Sequence, residues 1–194
     1  MIVSVIKVVG SMLTAPIRRR RAPADTPPGG REHYEPTPFA SSREAATLKA
    51  ADIPVAKTPA QRWGGSDWPA PVLARCDEPL VDGSPDLRGV WRVEAGPLKG
   101  HVERVEQAGD RVVITAGGVI HDMFVNGTLE GGVSDVGEAG TQISVAARFE
   151  DGRLNLYPGD KRVVAVTRYL DGAEMVWRWG PWRNRLRRLE TPTD

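Results

Sequence analysis

The chain reads as a mainly β protein, a small antiparallel up-and-down barrel over 86–190 that follows an N-terminal amphipathic helix and a long Pro-rich linker. Three observations predict this. Turn pairs recur through the last part of the chain, at Gly109-Asp110, Asn126-Gly127, Asp151-Gly152, Asp171-Gly172 and Gly180-Pro181. The runs between them alternate apolar with polar or are rich in β-branched and aromatic side chains, which predicts about nine strands with no helical period between them. Upstream, Pro27-Pro28, Gly29-Gly30, Pro36, Pro38, Pro54, Pro59, Pro69 and Pro71 punctuate 22–85 and forbid a continuous regular element there. A long meander leaves exposed edges unless it closes, so a closed or nearly closed barrel is the economical arrangement.

Taken in order, 1–17 places Ile2, Val3, Val5, Ile6, Val8, Val9, Met12, Leu13 and Ile17 on one helical arc, with Ser4, Lys7, Ser11 and Thr14 on the rest. Arg18, Arg19, Arg20 and Arg21 follow at once. A bilayer-spanning helix needs about 20 apolar residues, and this one is shorter, carries Lys7 and meets Pro16, so it suits the membrane interface. Four arginines near an anionic leaflet add about 3 to 4 kcal/mol. The same arc suits docking on another protein, and an integral membrane complex satisfies both readings. A secretory or twin-arginine signal fits poorly, because the positive charges follow the apolar run. Peripheral membrane association with the barrel on the cytoplasmic side is the expected localisation.

Within 22–85, Ser41 and Glu44 form a capping box before an Ala-rich run, which predicts a short helix near 42–52 that stops before Pro54. Trp63 and Trp68 flank Gly64-Gly65, and aromatics of that size need a surface, either the barrel's exterior or another chain.

In the barrel, the first strand lies around Val90 to Val93. Gly109-Asp110 aligns Val105, Val112 and Ile114. Asn126-Gly127 aligns Ile120, Phe124 and Leu129, although Val119, Met123 and Val125 make a rival apolar face. Asp151-Gly152 puts Ile143, Val145, Ala147, Phe149, Leu154 and Leu156 on one side and Ser144, Arg148, Glu150, Arg153 and Asn155 on the other. With Asp171-Gly172 as a two-residue loop, Leu170 faces Ala173 and Arg168 faces Met175, and Val164, Val166, Trp177 and Trp179 join their side. Gly180-Pro181 adds Trp182, Asn184, Leu186 and Arg188 to that wall and turns Arg178, Arg183, Arg185 and Arg187 outward. The last residues, 191–194, are a tail.

Gly89-Val90-Trp91 at the head of a meander of hairpins, with Arg188 near the end of the last strand, resembles the lipocalin and fatty-acid-binding-protein group of calycin barrels. The resemblance covers only the C-terminal part of the chain. It implies that Arg188 covers Trp91, a cation–π contact of about 0.5 to 2 kcal/mol. The haem-binding barrels of that broad group would imply a C-terminal His ligand, which this chain lacks.

Motifs for chemistry are sparse. The chain has no phosphate-binding loop, no His-Glu-x-x-His and no nucleophile elbow, and Gly117-Gly118 and Gly131-Gly132 read as bends in a curved sheet. His121 and Asp122 are adjacent on a strand and therefore point to opposite faces. Asn126-Gly127-Thr128 matches a glycosylation sequon, but its first two residues are already explained by a turn. Cys76 is the sole cysteine, which excludes an intrachain disulfide and a cysteine-based metal cluster. The net charge of +1 gives no global attraction to nucleic acid. No metal, cofactor or enzymatic activity is expected.

Two functions fit. The first is a non-enzymatic, membrane-associated accessory or interaction subunit, in which the helix, Trp63, Trp68 and the outer arginines, Arg183 and Arg185 above all, bind a membrane or acidic partners. The alternative is a binding protein for a small apolar anionic ligand such as a lipid or fatty acid. There Arg168 and Asn184 are the polar groups on a wall of Val164, Val166, Met175, Trp177, Trp179 and Leu186. An inward Arg without a partner is costly and would call for an anionic head group.

Overall fold

In the structure, a computed structural model, residues 48–59, 68–136, 141–159 and 162–190 are described. Turn chemistry sets the strand ends. Asp151, at φ 50°, and Gly152, at φ 68°, make the left-handed two-residue turn that matches the twist of a hairpin. Among the described residues ten strands follow in order: β1 (Gly89–Ala95), β2 (Val102–Ala108), β3 (Arg111–Ala116), β4 (Val119–Phe124), β5 (Val133–Val136), β6 (Gln142–Glu150), β7 (Arg153–Pro158), β8 (Val166–Asp171), β9 (Glu174–Trp179) and β10 (Trp182–Glu190). Every pairing is antiparallel. The spatial order β4-β3-β2-β1-β10-β9-β8-β7-β6-β5 is a meander rolled up so that its first strand pairs with its last. The result is a nearly closed barrel with one seam, between β4 and β5.

The expected registers hold at Gly109-Asp110, where Ala108 pairs with Arg111, at Asp151-Gly152, where Glu150 pairs with Arg153, and at Gly180-Pro181, where Trp179 pairs with Trp182. Two turns differ. At β8–β9 the pair Asp171↔Glu174 closes the hairpin, so the loop is Gly172-Ala173 rather than Asp171-Gly172. That is a two-residue slip, which changes partners and leaves every side chain on its expected face. Asn126-Gly127 is not a hairpin. The Asn126 carboxamide oxygen accepts from Thr128 N (3.0 Å) and Thr128 Oγ1 (2.8 Å), and Asn126 bridges to Arg148 of β6. This side-chain turn leads the chain away from β4, and the rival face is the inner one. Met123 and Val125 join the core, Ile120 packs outside, and Leu129 is exposed.

A side-chain lacing closes the seam. His121 on β4 meets the Val136 carbonyl on β5 at 3.3 Å. Thr58 Oγ1 accepts from Ile120 N (3.0 Å) while Thr58 N donates to Asp135 Oδ2 (2.8 Å), and Lys57 Nζ donates to the Ser134 carbonyl (3.0 Å). Edge groups that would otherwise be unpaired are satisfied by an arm from upstream.

The same arm covers the outer face of β2–β4, where Ala50, Leu73, Ala108, Val113 and Ile120 form a second apolar cluster. Arg111 pins it. Its guanidinium is fully buried, donates to both carboxylate oxygens of Asp122 (2.8 and 2.7 Å) and to the carbonyls of Ala50 (2.5 Å), Ile53 (2.6 Å) and Pro54 (3.0 Å). Farther along, Leu73 N donates to Glu106 Oε2 (2.7 Å) and Arg104 donates to the Pro69 carbonyl (2.8 Å). Where it is described, then, the Pro-rich stretch is not a loose spacer, because its unpaired backbone groups are met by charged side chains on the barrel wall. Of the helix expected near 42–52, the described part is a single 3-10 turn, Ala50–Asp52. The helix expected over 1–17, Arg18 to Arg21 and Trp63 lie outside the described residues, and Trp68 is half-buried.

Replacing Arg111 by Leu strands the buried Asp122 carboxylate and three carbonyls. The expected cost is about 3 to 5 kcal/mol in urea unfolding of the full chain. Adding Asp122→Asn, which removes the uncompensated charge, should recover part of it. A single mutant within about 1 kcal/mol of the parent would show that the arm does not depend on this residue.

Candidate functional site

Strand alternation decides what the lumen contains. Trp91 and Val93 of β1, Val105 of β2, Val166 of β8, Met175, Trp177 and Trp179 of β9 and Leu186 of β10 belong to one inner cluster. By the same period of two, Glu103 and Gln107 on β2, Arg168 on β8 and Asn184 on β10 point inward with them, and all four are buried.

One end of the barrel is sealed with its polar groups paired. Trp91 Nε1 donates to the Leu87 carbonyl at 2.8 Å, and the Arg188 guanidinium lies 4.5 Å over the Trp91 ring while donating to the Asp86 carbonyl (3.0 Å). Gln107 accepts from Leu87 N (2.6 Å) and donates to the Pro85 carbonyl (3.1 Å). The segment 85–88 thus plugs this end.

The other half of the lumen differs. Arg168 Nη1 donates to Glu103 Oε1 at 2.5 Å, joining β8 to β2 with β9, β10 and β1 intervening in the sheet, so the pair spans the lumen as a chord. Trp177 lies under the Arg168 guanidinium, 4.2 Å from the ring centre, and packs tilted against Trp179 at 4.9 Å and His101 at 5.6 Å. His101 Nε2 is 3.8 Å from Glu103 Oε2. Asn184 Oδ1 accepts from Leu98 N (3.1 Å), which brings the β1–β2 turn over the cluster. That turn needs glycine at position 96, where φ is 117° and a β-carbon would sit 2.5 Å from Asn184 Oδ1 and from the Arg183 carbonyl. Burial pushes the Glu103 carboxyl up and the Arg168 guanidinium down, each against the opposing pull of the other's charge. Four buried atoms around this pair have no hydrogen-bond partner among the described residues: Glu103 Oε2, Arg168 Nε, Trp177 Nε1 and Asn184 Nδ2.

Several expectations change. Arg168 faces inward but is not without a partner, since Glu103 neutralises it. Trp182 and Val164 do not complete the inner wall. They sit at the barrel end, 50% and 42% exposed, because β10 begins and β8 has not yet begun at those positions. The outer arginines are largely matched. Arg185 meets Glu174 (2.6 Å) and Asp171 (2.9 Å), Arg183 meets Asp171 (3.5 Å), and Arg187 meets Glu94 (3.2 Å). Diagonal partners and the neighbouring β1 strand supply acids that directly opposite pairing leaves out. Glu103 and His101 were missed as site residues. The signal for Glu103 was present, two residues before the inward Val105; His101 lies just before β2, where no register applies.

No protein-family model matches the chain, and no curated protein matches it. Among solved structures the chain is similar to human cRBP IV, with a TM-score of 0.39 and 13% identity over 53% of this chain and 98% of that one. Among the described residues no helix is long and apolar enough to cross a membrane.

His121 faces inward at the seam, and burial lowers its pKa against the opposing effects of the Val136 carbonyl and Asp135, while Arg168 adds to the lowering. The unfolded chain therefore takes up this proton first. The stability His121 contributes is present above an ordinary His pKa of about 6.5 and is lost as pH falls below it. Thermal unfolding from pH 7.5 to 5 should show a smaller drop in His121→Asn than in the parent. Parallel pH profiles would mean that His121 does not titrate with folding.

Proposed function

We propose that this barrel is a binding protein for a small, largely apolar ligand held in its lumen. The observation that carries the reading is unused hydrogen-bonding capacity inside an otherwise apolar wall. Glu103 Oε2, Arg168 Nε, Trp177 Nε1 and Asn184 Nδ2 lie beside Met175, Trp179 and Leu186. Leaving a buried polar atom without a partner costs about 1 to 3 kcal/mol, and native proteins do so rarely, so four in one cluster ask for an occupant. The sealed end, where Trp91, Gln107 and Arg188 all have partners, makes the contrast within the same barrel. The calycin resemblance carried by Gly89-Val90-Trp91 and Arg188 supports the same reading.

Native mass spectrometry of the full chain, purified without detergent, should reveal a non-covalent small-molecule adduct. After delipidation, returning that molecule at a hundredfold excess over its Kd should raise the unfolding free energy by about 2.7 kcal/mol. Trp177→Ala should diminish both effects. The proposal fails if the parent carries no adduct and the delipidated protein takes up no apolar probe.

A further inference from the structure

We infer that the lumen selects ligands whose polar end is an uncharged group able both to donate and to accept a hydrogen bond, such as an alcohol or a primary amide, over a carboxylate. This rests on the lumen being a ligand site. Two observations carry it. The first is charge balance. Arg168, the inward cation of this cluster, already has its counter-ion, Glu103, at 2.5 Å. A carboxylate brought to Arg168 would stand beside a second buried anion, and an unbalanced ion in such surroundings is strongly disfavoured.

The second is the set of vacant positions. Arg168, Trp177 and Asn184 are consecutive cross-strand partners on β8, β9 and β10, so they form a single row across the wall. The row presents three donors, Arg168 Nε, Trp177 Nε1 and Asn184 Nδ2, and Glu103, reaching it from across the lumen, presents one acceptor, Oε2. Each of these side chains is more than nine-tenths buried. A carboxylate has no hydrogen to give Glu103 Oε2. A hydroxyl or an amide has one, together with an oxygen for the donors. Nothing in the pairing requires a formal charge on the ligand.

The test is a matched series of decanol, decanamide and decanoate titrated into the delipidated full chain at pH 8, above the ordinary His range, and followed by tryptophan fluorescence and calorimetry. Decanol and decanamide should bind at least about tenfold tighter than decanoate. Glu103→Gln removes the counter-ion of Arg168 and should reverse the order by raising decanoate affinity about tenfold or more. If that variant does not fold, Trp177→Phe keeps a ring against Arg168 and removes one donor, and should weaken decanol several-fold. Decanoate binding as tightly as decanol to the parent would overturn the inference. So would uptake of an apolar dye with no preference among the three heads, an outcome that leaves the lumen reading standing. If neither the dye nor any member of the series binds, both readings fall.

Discussion

Pairing of the first strand with the last is the constraint on which the rest of the structure depends. β1 and β10 are joined through Val90↔Glu190, Trp91↔Arg188, Arg92↔Arg187, Val93↔Leu186 and Ala95↔Arg185, with register shifts between Val90 and Trp91 and between Val93 and Ala95. Closure at this junction makes an inside and an outside. It buries Trp91 completely, stacks Arg188 on it, and fixes the plug at 85–88 that satisfies the polar groups of that end.

Closing one junction leaves another to be managed. β4 and β5 are the two ends of the sheet order, and such edges are exposed templates for unwanted pairing. Thr58, Lys57 and His121 lace them, and the arm that supplies the first two is held by Arg111 and Asp122 on the outer wall. Seam and arm are therefore one device. Within it Arg111 reaches five oxygens, whereas on the inner side Arg168 reaches only Glu103. Among the buried arginines, Arg104 on the outer face and Arg168 on the inner one each keep a nitrogen without a hydrogen-bond partner among the described residues, and Arg168 is the one that faces the lumen.

The binding role proposed above rests on the inner cluster rather than on the surface. The outer arginines of β10 share Asp171, Glu174 and Glu94, and exposed pairs of this kind contribute little to stability. The inner cluster is small, shielded from solvent and chemically uneven, with donors outnumbering acceptors among its unused atoms. On the proposed reading, such a place would discriminate between ligands by what it leaves unpaired.

Side-chain direction was legible in the sequence because it is local. Two-residue turns and a period of two assign Ile143 and Leu154 to one face of their hairpin, and Met175, Trp177, Asn184 and Leu186 to one wall of theirs, with no knowledge of what lies opposite, and even the two-residue slip at Gly172-Ala173 leaves those faces intact. Partners across space are another matter. Glu103 and Arg168 are 65 residues apart and meet only because the sheet curls until β2 and β8 face each other, and Thr58 meets Asp135 because an arm with no periodic pattern crosses a seam. No hydrophobic period encodes an ion pair across a lumen, and the Asn126 turn overrode a pair of residues that reads locally as a hairpin. The sequence by itself thus determined the inner residues of β6, β7, β9 and most of β10, but not those of β4 or the ends of the wall at Val164 and Trp182. Tertiary closure alone decided that the inward arginine is neutralised, since the curvature of the whole sheet, and not the order of residues along any strand, sets which charges come into contact.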